Sequence, residues 1–191
     1  MTYSSKRAHK PKQPLDVTGL YDYAVRSLGR KMRTVAEMKR LLRPRVEADE
    51  AGTAKVEAVI ARLKEQRYLN DANYASVYAR LRQEDEKFGK RRVQQDLAQH
   101  GVHSEIARKT VDALYEGVPE EAQLRAFLER RRLRPPQNDK ETARIARALV
   151  RAGFRTATIF QVLKQWKVTD EALAALEDLD DVFNADRPSG E

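Results

Sequence analysis

A segment of about 50 residues recurs three times along the chain, and this repeat constrains the fold more than any other feature. Its clearest copies begin at Thr53, Ser104 and Thr156, which lie 51 and then 52 residues apart. In each copy a hydroxyl residue is followed by mostly apolar residues at positions +3, +6, +7 and +10, the spacing of one helical face. The pattern predicts three helices, each with a hydroxyl residue at its N-cap.

The helices that precede the second and third copies repeat as well. Residues 92–102 align without a gap on residues 144–154, and Gly101 then matches Gly153. A glycine at this place fits the C′ position of a helix, where the backbone becomes left-handed. In the first copy the corresponding helix begins at a capping box that Thr34 opens.

One further helix opens each unit, and in the second unit its predicted apolar face consists of Tyr74, Val77, Tyr78 and Leu81. No segment alternates in the manner of a β-strand. We therefore predict an all-α fold, an elongated array of three consecutive three-helix units of about 50 residues each. The predicted order is a basic flexible tail (1–16), three units (17–70, 71–117 and 118–168) and an acidic tail (169–191).

Charge is distributed unevenly along the chain. The sequence has 37 Lys and Arg residues against 29 Asp and Glu residues, a net charge of +8. Residues 170–191 contain eight acidic residues and one arginine, so residues 1–169 carry a net charge of +15. This balance favours polyanionic partners. The acidic end is expected to be a solvated arm that either shields the basic body or only aids solubility.

Residues that could support catalysis are scarce. The chain has no cysteine, which excludes disulfides and thiolate chemistry and suits the cytoplasm. His100 and His103 are separated by Gly101 and lack the spacing of metal ligands, and the glycines form no phosphate-binding loop. No apolar stretch approaches the roughly 20 residues of a membrane span. We expect a cytoplasmic protein with no catalytic residue, no metal, no cofactor and no membrane partner.

Basic residues concentrate in three places. On the helix predicted over 139–152, Lys140, Arg144, Arg147 and Arg151 form a stripe away from the apolar face. A second cluster surrounds the first loop of the second unit: Arg80, Arg82, Lys87, Lys90, Arg91 and Arg92. The third consists of Arg125, Arg130, Arg131, Arg132 and Arg134. Each could be a solvated face, but three together favour contact with phosphates.

Most aromatic residues are predicted to belong to the core. Tyr74, Tyr78, Phe127 and Trp166 fall on apolar helical faces. Tyr68 and Phe88 lie at helix ends and are weak candidates for stacking on bases.

Two stretches resemble the RecX family of bacterial recombination regulators. One is Tyr68-Leu69-Asn70-Asp71, followed by Tyr74-Ala75 and Tyr78, and the other runs from Phe88-Gly89-Lys90 through Val93, Asp96 and Leu97 to Gly101-Val102. The resemblance covers residues 17–167. The motif residues that it implies are Asp71, Tyr74, Ala75, Gly89, Leu97 and Gly101, and the repeat adds Gly153 as the counterpart of Gly101.

The resemblance implies a partner and an activity. A RecX-like protein is expected to act as a monomer on the RecA filament on single-stranded DNA, with weaker binding to duplex DNA as an open alternative. It would lie along the filament groove and restrain filament growth, ATP turnover and strand exchange in DNA repair, recombination and the SOS response. Whether it caps filament ends or disrupts filaments along their length stays open.

Two other functions fit the helical pattern. A helix-turn-helix transcription factor would place its basic residues on the second helix, whereas here the stripe lies on the preceding one. A helical-repeat scaffold for proteins would show no salt-sensitive affinity for DNA.

Overall fold

The computed structural model describes residues 14–174, and all regular secondary structure in that range is helical. The predicted tails, up to residue 13 and beyond residue 174, lie outside the described residues. The all-α prediction is confirmed. The helices are α1 (Val17–Leu28), α2 (Val35–Leu42), α3 (Glu50–Glu65), α4 (Asp71–Glu84), α5 (Lys90–Gln99), α6 (Ser104–Tyr115), α7 (Glu120–Arg130), α8 (Asp139–Arg151), α9 (Thr156–Gln165) and α10 (Asp170–Ala174).

The chain separates into two compact units between Asn70 and Asp71. The first contains α1 to α3 and a 3₁₀ turn at Arg43–Arg45, and the second contains α4 to α10. The finer division of the second unit at residue 117 stays a prediction.

The first unit closes a small core between its three helices. Its fully buried side chains include Leu20, Met38, Leu42 and Leu63. Thr34 accepts a hydrogen bond from the Glu37 amide at 3.0 Å, as the capping box predicts.

The hydroxyl N-caps predicted for α3, α6 and α9, at Thr53, Ser104 and Thr156, are wrong. Helix α3 begins before Thr53, because the Asp49 carboxylate accepts the Gly52 amide at 2.7 Å and caps the helix there. Ser104 and Thr156 are each the first residue of a helix, one position after the N-cap. Local hydroxyl patterns cannot show that a stronger acceptor lies nearby.

Helix α9 is capped by a carboxylate from another helix. Glu120 at the start of α7 accepts the Arg155 amide at 3.1 Å, the Arg155 Nε at 2.7 Å and the Thr158 hydroxyl at 2.6 Å. Burial alone would raise the pKa of Glu120, but these hydrogen bonds outweigh it and lower the pKa. The contact fixes α7 to the N-terminus of α9.

Two hydrophobic clusters fill the second unit, and Phe88 packs against both. One lies between α4, α5 and α6, and includes Val93, Leu97 and Val111. The other is built by α7 to α10. Its buried residues include Leu124, Phe127, Ile145, Leu149, Phe154, Ile159 and Leu173.

The predicted apolar face of α4 is partly wrong. Val77 and Leu81 are 50% and 49% exposed, whereas Ala75 and Ala79 are completely buried. The alanine face of α4 therefore turns into the hydrophobic cluster that α4 shares with α5 and α6. Tyr74 is buried as predicted, while Tyr78 is partly buried, packs against the same cluster and stacks its ring 5.9 Å from that of Tyr74.

Candidate nucleic-acid interface

Helices α5 and α8 meet end to end at a pair of glycines. The Gly89 amide donates to the Ala152 carbonyl at 2.8 Å. A Cβ on Gly89 would lie 2.4 Å from the Gly153 carbonyl oxygen, and a Cβ on Gly153 would lie 2.2 Å from the backbone nitrogen of Arg92. Neither position has room for a side chain. We call this contact the glycine junction.

The structure gives the motif glycines different roles at different positions. Gly101 and Gly153 have φ angles of +78° and +89°, which confirms the predicted left-handed C′ positions. Gly89 has a φ of −72°, which any residue adopts, so its backbone conformation does not require a glycine. It is a glycine because another backbone passes against it.

The glycine junction joins two of the predicted basic clusters. The N-terminus of α5, with Lys90 and Arg91, lies against the C-terminus of α8, where the predicted stripe ends at Arg151. Arg92 Nη1 also lies 3.4 Å from the Arg151 carbonyl oxygen. The positive end of one helix dipole therefore faces the negative end of the other.

The stripe on α8 is exposed. Lys140, Arg144, Arg147 and Arg151 all face outward, while Ile145 on the same helix is buried. Within residues 14–174 none of the four side chains forms an ion pair or a hydrogen bond. From the first to the last, the α8 stripe extends over about 17 Å at 1.5 Å per residue. It presents four uncompensated charges to an anionic partner.

The third predicted cluster meets the second at Phe88. The Arg131 guanidinium lies 6.0 Å from the centre of the Phe88 ring, and those of Arg82 and Arg92 lie at 5.4 and 5.8 Å. Phe88 is only partly exposed and packs 5.8 Å from Phe127. Its ring is therefore part of the packing and not a free platform for a base.

Two of the predicted phosphate-binding arginines form an internal ion-pair network. Asp96 is 3% exposed, and its carboxylate lies 2.8 Å from Arg92 Nε and 3.4 Å from Arg82 Nε. The Tyr78 hydroxyl donates to the same carboxylate at 3.1 Å, and Arg82 also pairs with Glu86 at 2.6 Å. Because these ion pairs already offset the charge of Arg82 and Arg92, the two arginines are weaker candidates for contact with a phosphate.

The network also shifts the pKa values of Tyr78 and Arg82. Burial raises the pKa of Tyr78. Burial opposes the charged form of Arg82, but the hydrogen bond to Tyr78 and the charges of Asp96 and Glu86 outweigh it, so the pKa of Arg82 is raised. Sequence reasoning missed Asp96 as the centre of this network. The available signal was its i, i+4 spacing from Arg92.

The remaining residues of the second cluster are dispersed. Lys90 pairs with Asp112 at 3.0 Å, and Arg80 lies 3.9 Å from Glu84 on the exposed side of α4. Lys87 is partly buried, with a φ of +59°. Arg91 lines a cleft of about 660 Å³ between the N-termini of α5 and α9. The α8 stripe and the cleft beside the glycine junction therefore form the candidate interface.

Two further observations concern the part of the chain from residue 14 to residue 174. Its His, Asp and Glu side chains form no group of three or more placed to hold a metal ion. None of its helices combines the length and the apolar character that crossing a membrane requires.

Comparison with known proteins identifies relatives. A family model described as RecX, second three-helix domain, matches residues 70–111. The regulatory protein RecX of Leptothrix cholodnii is 30% identical over 141 residues, covering 74% of this chain and 85% of the relative. That of Myxococcus xanthus is 32% identical over 165 residues, covering 78% and 87%.

A solved structure has the same fold. The crystal structure of RecX from Lactobacillus salivarius superposes with a TM-score of 0.61 at 21% identity, covering 81% of this chain and 98% of that one. At this level of identity the likeness concerns the fold alone.

Proposed function

This chain belongs to the RecX family of regulatory proteins, and from that premise we propose that it binds the RecA filament on single-stranded DNA and restrains the recombinase. The family name of its relatives points to regulation. The observation that carries the proposal in this chain is the α8 stripe, four exposed cations without partners among residues 14–174. The protein would act by binding and not by catalysis, as a monomer in the cytoplasm.

The chemistry of the α8 stripe suits a phosphate backbone. Three of its members are arginines, which bind phosphate oxygens in a bidentate manner and release counterions from the nucleic acid. The glycine junction places Lys90 and Arg91 beyond the end of the stripe, so a strand that follows α8 would next meet the cleft. Such contacts carry no sequence information, which suits a protein that acts on any DNA.

The geometry of α6 disfavours the helix-turn-helix alternative. In that class the second helix enters the major groove with its polar side chains free. Here α6 mixes acidic and basic residues on its surface, and Asp112 lies 3.0 Å from Lys90 and 3.8 Å from Arg108. We therefore favour backbone contact through α8 over base recognition through α6.

The proposal is tested by removing the charge of the stripe. The triple variant Arg144→Gln, Arg147→Gln, Arg151→Gln should flatten the slope of log affinity against log salt for single-stranded DNA by about 2, at about 0.7 per phosphate contact. A matched control, Arg26→Gln, Arg30→Gln, Arg40→Gln, removes the same charge from exposed positions of the first unit. It should leave the slope nearly unchanged.

Inhibition is measured in the same preparations. DNA-dependent ATP hydrolysis and strand exchange by a RecA recombinase are followed while the chain is added to preformed filaments with free single-stranded DNA in excess. The natural chain and the control should inhibit, and the stripe variant should inhibit much less. If inhibition by the natural chain vanishes in excess DNA, the protein only competes for strands. An unchanged salt slope in the stripe variant would show that the stripe is only a solvated face.

A further inference from the structure

We propose that the acidic segment 175–191 docks on the α8 stripe of the same molecule and competes there with single-stranded DNA. The competition rests on the proposed function of the stripe, whereas the docking does not. The segment would act as an internal anionic partner, so that the chain limits its own binding to DNA.

Charge complementarity identifies the occupant. Residues 175–191 have a net charge of −5, and four of their carboxylates fall within five positions: Glu177, Asp178, Asp180 and Asp181. The α8 stripe offers four cations that no acidic side chain neutralises within residues 14–174. Elsewhere in the second unit the basic side chains at Lys90, Arg92 and Arg155 already pair with carboxylates. Arg130, Arg132 and Arg134 at the end of α7 also form no ion pair within residues 14–174, but the stripe aligns four such cations along one face of a helix and is the more extended docking surface.

The length of the segment and its starting point make the contact reachable. Leu173 is 3% exposed and lies in the same hydrophobic cluster as Ile145 and Leu149 of α8. The segment therefore starts from the core on which α8 packs. Its 17 residues, at about 3.3 Å each, can extend over about 56 Å. A path around a helix about 10 Å wide and along a stripe of about 17 Å fits within that length.

Tethering makes weak contacts effective. Each exposed ion pair contributes little by itself. Because the two groups belong to one chain, their effective concentration is on the order of millimolar. Loosely bound DNA must displace the segment, while a partner that contacts the protein at several places can do so more readily. The expected consequence is suppression of weak binding to free strands by about tenfold.

The first experiment measures affinity for single-stranded DNA in the full chain. Neutralising the segment with Glu177→Gln, Asp178→Asn, Asp180→Asn and Asp181→Asn should tighten binding about tenfold at low salt. A control that removes four exposed carboxylates elsewhere, Glu65→Gln, Glu105→Gln, Glu116→Gln and Glu129→Gln, should change affinity much less. In the stripe variant the segment substitutions should have no further effect. Equal gains in both backgrounds would overturn the proposal.

The second experiment detects docking without DNA. A carbodiimide joins a carboxylate to a lysine in direct contact, and Lys140 is the lysine of the stripe. Mass spectrometry should find Lys140 joined to residues 177–181, with the yield reduced by high salt. Crosslinks at other lysines with none at Lys140 would overturn the docking. So would crosslinks that join isotope-labelled to unlabelled copies, because the contact would then be between molecules.

The two experiments separate the proposals. A Lys140 crosslink in a chain that binds no single-stranded DNA would support docking and refute the proposed function. DNA binding through the stripe with no Lys140 crosslink and no gain on neutralising the segment would refute the docking and leave the proposed function standing.

Discussion

At the scale of single residues, Asp96 decides how the second basic cluster is used. A carboxylate that is 3% exposed needs compensation, and Arg82 and Arg92 provide it from α4 and α5. These two arginines therefore hold the unit together, while the residues of the α8 stripe stay available. The same residue type has a structural role at one position and a candidate binding role at another, and burial of the partner makes the difference.

We expect Asp96→Asn to destabilise the second unit by about 3 kcal/mol, because it leaves two guanidinium groups without their buried counter-charge. Glu84→Gln is the matched control, since its pair with Arg80 spans 3.9 Å and both side chains are more than half exposed. The control should change stability by less than about 0.5 kcal/mol. Urea unfolding followed by circular dichroism measures both. Equal stabilities for the two variants would show that the ion pairs of Asp96 do not stabilise the second unit.

Features that depend on neighbouring residues could be predicted from the sequence, whereas features that depend on residues distant in the chain could not. The left-handed Gly101 and Gly153 were predictable, because the end of a helix is a local event. Asp49 as a cap, Gly89 as a point of close approach and the inward turn of Ala75 depend on distant neighbours or competing partners. The α8 stripe was predictable as a pattern because helical spacing fixes which side chains share a face. Its connection to Lys90 and Arg91 required the fold.

At the scale of helices, the glycine junction fixes α5 against α8. The contact consists of backbone atoms on both sides, so a side chain cannot be accommodated by a change of rotamer. It also decides where the basic N-terminus of α5 lies relative to the α8 stripe. A disturbance at Gly89 should therefore alter stability and the candidate interface together.

We expect Gly89→Ala to cost about 1–3 kcal/mol, because its Cβ would lie 2.4 Å from a carbonyl oxygen. Gly29→Ala is the control, since its φ is −63° and its Cβ would lie at an ordinary contact distance of 3.7 Å from the Val25 carbonyl oxygen. The control should be neutral or stabilise by about 0.5 kcal/mol. Thermal unfolding gives the stabilities, and hydrogen exchange at residue 89 reports the bond to Ala152. If the Gly89→Ala variant kept the stability of the natural chain and the same hydrogen exchange at residue 89, the close approach of the two backbones at the glycine junction would be refuted.

At the scale of the whole molecule, the second unit depends on contacts that cross residue 117. Phe88 packs against Phe127, and the Gln123 side chain donates to the Gln83 carbonyl at 2.9 Å. The Gly89 amide bonds to Ala152. A fragment that ends at residue 117 would expose part of Phe88 and leave these backbone groups without partners. The first unit, in contrast, has a hydrophobic core of its own.

We therefore expect residues 71–174 to unfold cooperatively and residues 71–117 to lack a cooperative transition. A chain of fewer than 50 residues is marginal even with all its contacts, and this one would lose the packing around Phe88 and the glycine junction. Residues 14–70 are the control, since they carry the complete first core and should show a cooperative transition of their own. Calorimetry and the near-ultraviolet circular dichroism of the aromatic residues distinguish the three fragments. A cooperative transition in residues 71–117 at the temperature of residues 71–174 would show that the three helices α4 to α6 are an independent domain, and that the contacts across residue 117 only orient it.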